Sequence, residues 1–232
     1  MVFDPFALLA RFTSEALLHR LIRIGMIIVL VVFLISRLRD YHHVTLKPLW
    51  LVESLLFAIL ILAFLLRSPP RDRSRGVGEI LIPLAASLLP FALLLSPPVS
   101  RVLAERRLLL GIFWCMTAAT TLTIWGMWTL RHAFSITVEA RALVTGGPYR
   151  FVRHPIYLGE ILAAAGVTVL RFSPVNCILL ALFVCLQLLR AHWEEAKLTR
   201  NFPEYSTFAT RSRWFGRKSP SAKVRLESDA KR

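Results

Sequence analysis

Acidic side chains are scarce in this chain of 232 residues: 14 Asp and Glu stand against 29 Lys and Arg, a net charge of +15. That imbalance raises nucleic acid as a partner. The placement of the charge argues otherwise, because Lys and Arg gather in the breaks between apolar runs, as they do in cytoplasmic loops of membrane proteins. No nucleic-acid partner is expected. Cysteine is also rare. Cys115, Cys177 and Cys185 each lie inside an apolar run, which suggests buried free thiols and no disulfide framework. Nucleotide and metal signatures are missing. Gly76-x-Gly78 lacks a third glycine and follows no strand, so a Rossmann fold is excluded. His132 and His192 match no standard ligand spacing, His42-His43 reads as surface decoration, and no metal is expected. The N-terminal region carries Asp4 and Glu15 and shows no small-residue cleavage site, so no cleavable signal sequence is expected.

What the chain has is apolar length. Hydrophobic residues make up 56% and the mean hydropathy is +0.58, well above a soluble average. Long apolar runs broken by arginine-rich segments predict an all-α integral membrane protein of about six transmembrane helices. The first four spans are Leu21–Ser36, Leu49–Leu66, Glu79–Leu95 and Leu108–Leu130. Pro83 and Pro90 inside the third are tolerable where neighbours satisfy the freed carbonyls. Thr117, Thr120, Thr121 and Thr123 in the fourth can return hydrogen bonds to their own helix. Ile156–Leu170 and Val175–Leu189 are shorter and are split by Ser173-Pro174. They predict a tight antiparallel hairpin, with a re-entrant hairpin as the alternative. Glu194–Asn201 can extend the last helix until Pro203 stops it.

Residues 1–20 form a cytoplasmic or interfacial segment in this division, 21–130 the four helices and 131–215 a catalytic region. A basic disordered tail occupies 216–232. Of the Lys and Arg residues, 22 fall in odd-numbered connections and 7 in even ones, which predicts both termini in the cytoplasm. The loop 131–155 and the tail then share one face. Short length and arginine-rich loops point to a bacterial inner membrane.

Two stretches differ in kind from the rest. In Leu143–Gly159, Gly146-Gly147-Pro148 signals a turn, and Arg153-His154-Pro155 stands where the chain re-enters the membrane. Proline suits the first turn of a helix, whose free N–H groups and positive dipole end favour a carboxylate. Tyr149 and Tyr157 add flat faces suited to an adenine ring. The second stretch is Arg190-Ala191-His192-Trp193-Glu194-Glu195. Arg190 and Glu194 share a helix face, and a charged pair at a membrane boundary is functional by default. Arg150 and Arg153 can also be read as obeying only the positive-inside bias.

Together these stretches resemble the family of isoprenylcysteine carboxyl methyltransferases and phospholipid methyltransferases. The matching residues are Arg153-His154-Pro155-Ile156-Tyr157-Leu158-Gly159, then a helical hairpin, then Glu194-Glu195. The leading segment Leu143–Tyr149 and the trailing Phe202-Pro203-Glu204-Tyr205 match as well. The resemblance covers about residues 126–215. It implies S-adenosylmethionine as cofactor, held on the cytoplasmic side. Arg141, Ala142, Leu143, Val144, Tyr149, His154, Pro155, Ile156, Tyr157 and Glu194 would line that pocket, and Arg190 would face the methyl acceptor. A carboxylate acceptor needs no base, whereas an amine needs one such as Glu195 or His192. The acceptor would be a lipid or amphiphile entering from the bilayer, either an isoprenylcysteine-like carboxylate or a phospholipid amine. Two other readings stay open. An NADPH-dependent sterol-type reductase has a similar C-terminal half but usually shows Arg-His-x-Asn-Tyr. A non-catalytic membrane scaffold would bind no cofactor.

Overall fold

The computed structural model describes residues 15–43, 47–66, 74, 78–135 and 137–212. The interfacial segment up to residue 14, the arginines of 67–75 except for Ser74 between them, Gly76 and the tail 216–232 lie outside the described residues. Eight α-helices are present among those described: α1 (Glu15–Arg39), α2 (Lys47–Leu65), α3 (Gly78–Ala92), α4 (Ser100–Ala104), α5 (Arg106–Leu130), α6 (Pro155–Leu170), α7 (Pro174–Asn201) and α8 (Tyr205–Arg211). No strand occurs among the described residues.

Local chemistry sets the boundaries. Pro155 and Pro174 occupy first turns, where a missing N–H costs nothing, and the Ser173 hydroxyl caps α7 by accepting from the Asn176 N–H at 3.1 Å. Pro83 and Pro90 lie within α3 without ending it. Thr117, Thr120, Thr121 and Thr123 of α5 each donate to the carbonyl four residues earlier. As expected from the sequence, the last helix runs past the apolar stretch that ends at Leu189 and continues unbroken to Asn201, because helix propensity does not depend on hydropathy.

Two helices, α5 and α7, are long and apolar enough to cross a membrane by length and composition. Shorter apolar stretches lie in α1, α2, α3 and α6. At about 1.5 Å per residue, α6 reaches roughly 24 Å, short of a bilayer core of roughly 30 Å. Val32, Leu51, Leu88 and Ile178 are each more than 60% exposed. Apolar outward faces on so many helices need a non-aqueous surrounding. The three cysteines lie on these outer faces and are exposed rather than buried, because apolar sequence context does not say which side of a helix a residue occupies.

The closest packing is between α5 and α6. A Cβ at Gly159 would run into the Thr123 hydroxyl and the Ala119 carbonyl, and one at Gly166 would meet the Met116 side chain. Bare glycines let the two backbones approach, as at small-residue interfaces of membrane helices. Against this pair sit α1 and α2, through a core of Leu30, Ile59, Ala63, Ile124, Met127, Phe134, Ile156, Tyr157 and Ala191. On the other flank α3 packs along α7. At the hairpin end, fully buried Asn176 donates to the carbonyls of Leu93 and Arg171 at 3.1 and 2.8 Å. Its oxygen accepts from the Ser96 hydroxyl at 3.0 Å. The α6–α7 turn is thereby tied to the end of α3.

Candidate active site

At the opposite end of the bundle, the start of α6 meets the polar half of α7. Arg153, almost fully buried, donates to both oxygens of Glu195 at 3.2 and 3.3 Å. Its other terminal nitrogen donates to the carbonyls of Ala209 and Ser212 at 2.8 and 3.4 Å. His154 Nε2 lies 3.1 Å from the same Glu195 carboxylate. The His154 ring stacks parallel to Tyr157 with centroids 5.4 Å apart. One residue earlier on α7, Glu194 accepts a hydrogen bond from the Tyr157 hydroxyl. Thus the Arg-His-Pro-x-Tyr run and the Glu-Glu pair, far apart in sequence, form one hydrogen-bonded unit.

Arg190 lies deeper. It is 5% exposed, its guanidinium sits 4.7 Å over the Tyr157 ring, and it donates to Gln187 at 3.1 Å. Fully buried Gln187 in turn donates to Glu160 of α6. Glu160 and Glu194 both place negative charge on Arg190. The Tyr157 ring thus already contacts both His154 and Arg190. Tyr149, buried in the short turn Gly147–Arg150, feels the same charges: burial first, then Glu194 and Glu160, push its phenol well above the usual range. Gly147 makes this turn possible. Its φ of 56° suits glycine, and a Cβ there would lie 2.6 Å from the Thr129 hydroxyl.

The remaining expected residues sit to one side, in the extended stretch before the turn. Arg141 is buried and pairs with Glu139, which also accepts from Ser135 and Thr137 at 3.0 Å each. Ala142 is exposed and Val144 half-buried. Leu143 packs on the core of Ala140, Phe202 and Tyr205. Tyr205 opens α8, and burial, reinforced by the Glu195 charge, pushes its phenol up. Pro155 and Ile156 are buried against α5, where a Cβ at Gly126 would come within 2.8 Å of Ile156. His192 is exposed on α7.

Sequence reasoning missed Glu160, Gln187, Glu139, Glu79 and Lys197. The first two had a usable signal, since each is a polar side chain inside an otherwise apolar run. Among the described residues no group of three or more His, Cys, Asp or Glu is gathered closely enough to hold a metal.

The comparisons with known proteins agree with the motif resemblance. Residues 99–205 match the phospholipid methyltransferase family. No curated protein matches the chain.

Proposed function

We propose that this chain, whose residues 99–205 match the phospholipid methyltransferase family, a family of membrane methyltransferases, transfers a methyl group from S-adenosylmethionine to a lipid or amphiphilic acceptor. The observation that carries this reading is the joint unit of His154, Tyr157, Glu194 and Glu195 at the mouth of the α6–α7 hairpin. The residues present fit the cofactor's chemistry. Glu194, bonded to Tyr157 at the mouth of the hairpin, offers a carboxylate that complements a cationic sulfur in a site of low polarity. Tyr149 offers an aromatic surface for the adenine, and Arg141–Val144 supply an adjoining wall.

The cofactor supplies a methyl group already activated on a sulfonium. The chain's own residues then have to align the acceptor and exclude water, which this chemistry needs more than a strong acid. Arg190, held by Gln187 and stacked on Tyr157, is placed at the inner edge of the cluster, where an acceptor from the bilayer would arrive. Both Glu195 oxygens already accept from Arg153, and one of them also lies within reach of His154. To serve as a base for an amine acceptor, Glu195 would first have to give up these bonds. A carboxylate acceptor asks less of it, since the lone pair that takes the methyl is free at neutral pH.

The same reading includes a multi-pass protein of about six spans with this end of the bundle in the cytoplasm. Impermeant labelling of single cysteines placed at exposed Arg150 and Arg200 checks it; labelling from opposite sides would overturn it. The decisive test of activity is binding of labelled S-adenosylmethionine against NADPH by purified protein, followed by incubation of membranes with methyl-labelled cofactor. Binding of NADPH alone would select the reductase reading. Release of the label by base would mark an ester, and retention an N-methyl product.

A further inference from the structure

The family match begins at residue 99, yet contacts from earlier in the chain reach the loop that precedes the site. Pro83 of α3 has no N–H, so the carbonyl four residues earlier, that of Glu79, loses its helical partner. The Val138 N–H of the loop between α5 and α6 donates to that carbonyl at 3.4 Å. The Val138 carbonyl accepts from two sides, from Lys197 Nζ of α7 at 2.9 Å and from the Ser74 hydroxyl at 2.9 Å. Lys197 also donates to the Glu79 carboxylate at 2.6 Å. Lys197 is 2% exposed and Val138 fully buried. Trp193, one turn before Lys197, packs against Gly78 at the start of α3.

A buried lysine is costly unless paired, and an irregular loop at this depth needs its backbone satisfied. Here one residue of the loop has both its backbone groups bonded, by α3 on one side and α7 on the other. Three residues on comes Arg141, the first of the stretch assigned above to the cofactor wall. We infer that Glu79 and Lys197 are positioning residues: they latch the 134–146 loop at Val138 and so fix Arg141–Val144 against the site. The inference rests on the cofactor reading given above for what the loop contacts, but the latch itself does not. It gives the first apolar half of the chain a part in the transferase site, through a proline-freed carbonyl and one carboxylate.

The test uses the full chain in detergent, with Lys197→Ala, Lys197→Arg and Glu79→Gln. Tryptic cleavage after Arg141, followed by mass spectrometry without cofactor, reports on the latch directly. Cleavage should be slow in wild type, where Arg141 is buried, and faster by about tenfold or more in Lys197→Ala. Lys197→Arg should restore protection in good part. In turnover assays the KM for S-adenosylmethionine should rise about tenfold with kcat held within about threefold. Where Lys197→Ala fails to fold, Glu79→Gln carries the test, since it keeps the shape and removes only the charge. Wild-type cleavage and wild-type KM in these variants would overturn the inference, as would equal loss of kcat and kcat/KM. A wild-type protein that binds no S-adenosylmethionine, with the latch variants still cut faster, would instead overturn the transferase reading alone.

Discussion

Arg153 and Glu195, 42 positions apart, are joined at 3.2 Å, and the same guanidinium holds the carbonyl of Ala209 in α8 at 2.8 Å. One side chain therefore ties the start of α6 to the polar half of α7 and to the short helix that follows. Arg153→Ala should destabilise the protein by about 3 kcal/mol, the low end for breaking a buried ion pair, because Glu195 keeps 20% exposure. It should also loosen α8. Thermal unfolding in detergent and tryptic release of the segment after Arg200 measure the two effects. Arg153→Lys, which keeps charge but not the fork, should recover only part of the loss.

Cofactor affinity and turnover should separate by residue. Glu194→Ala and His154→Ala should weaken S-adenosylmethionine binding by about tenfold or more, the worth of a charge-assisted hydrogen bond. Tyr157→Phe, which removes only the hydroxyl bonded to Glu194, should weaken it less. Arg190→Lys should leave the Kd within about threefold and lower kcat by about a hundredfold. Calorimetry on detergent-solubilised protein, set beside initial rates, separates the two classes. Equal Kd in all four variants and wild type would count against the assignment.

Gly159 should be irreplaceable where Gly25 is not. A Cβ at Gly159 meets the backbone oxygen of Ala119, which cannot rotate away, whereas nothing lies within 4 Å of one at Gly25. Gly159→Val should cost about 3 kcal/mol or more by forcing α5 and α6 apart. Gly25→Ala should gain a few tenths to about 1 kcal/mol from helix propensity. Expression level and melting temperature in detergent suffice to check both.

Two buried tyrosines set an alkaline limit. Burial, aided by Glu194 and Glu160 at Tyr149 and by Glu195 at Tyr205, raises both phenols above the ordinary 10.0. A pKa raised by folding means the neutral phenol is the form the fold favours. Its contribution is complete below pH 10.0 and declines as pH climbs from there through the folded value. Melting temperature should therefore drop on raising the pH above about 10, and Tyr205→Phe should flatten part of that drop.

Much of this was legible in the sequence because it is written in local chemistry. Pro155 and Pro174 mark helix starts, and the four threonines announce their own backbone bonds. The motif around His154 and the Glu194-Glu195 pair do meet in space. What was hidden depends on distance or on facing. Glu79 and Lys197 are 118 positions apart, and each alone looks like a charge at a helix end reaching for water. Val138 acts through its backbone, which has no signature in the residue type. The contact of Arg190 with the Tyr157 ring also joins residues distant in sequence.

The anchoring of α3 has a mechanical corollary. Asn176 and Ser96 rivet its far end to the hairpin turn, and the Glu79–Lys197 pair rivets its near end to α7. A rod pinned top and bottom to the same neighbour can neither piston nor swing away from it. If a greasy acceptor slips in from the side, the doorway has to be hung on some other seam of the bundle.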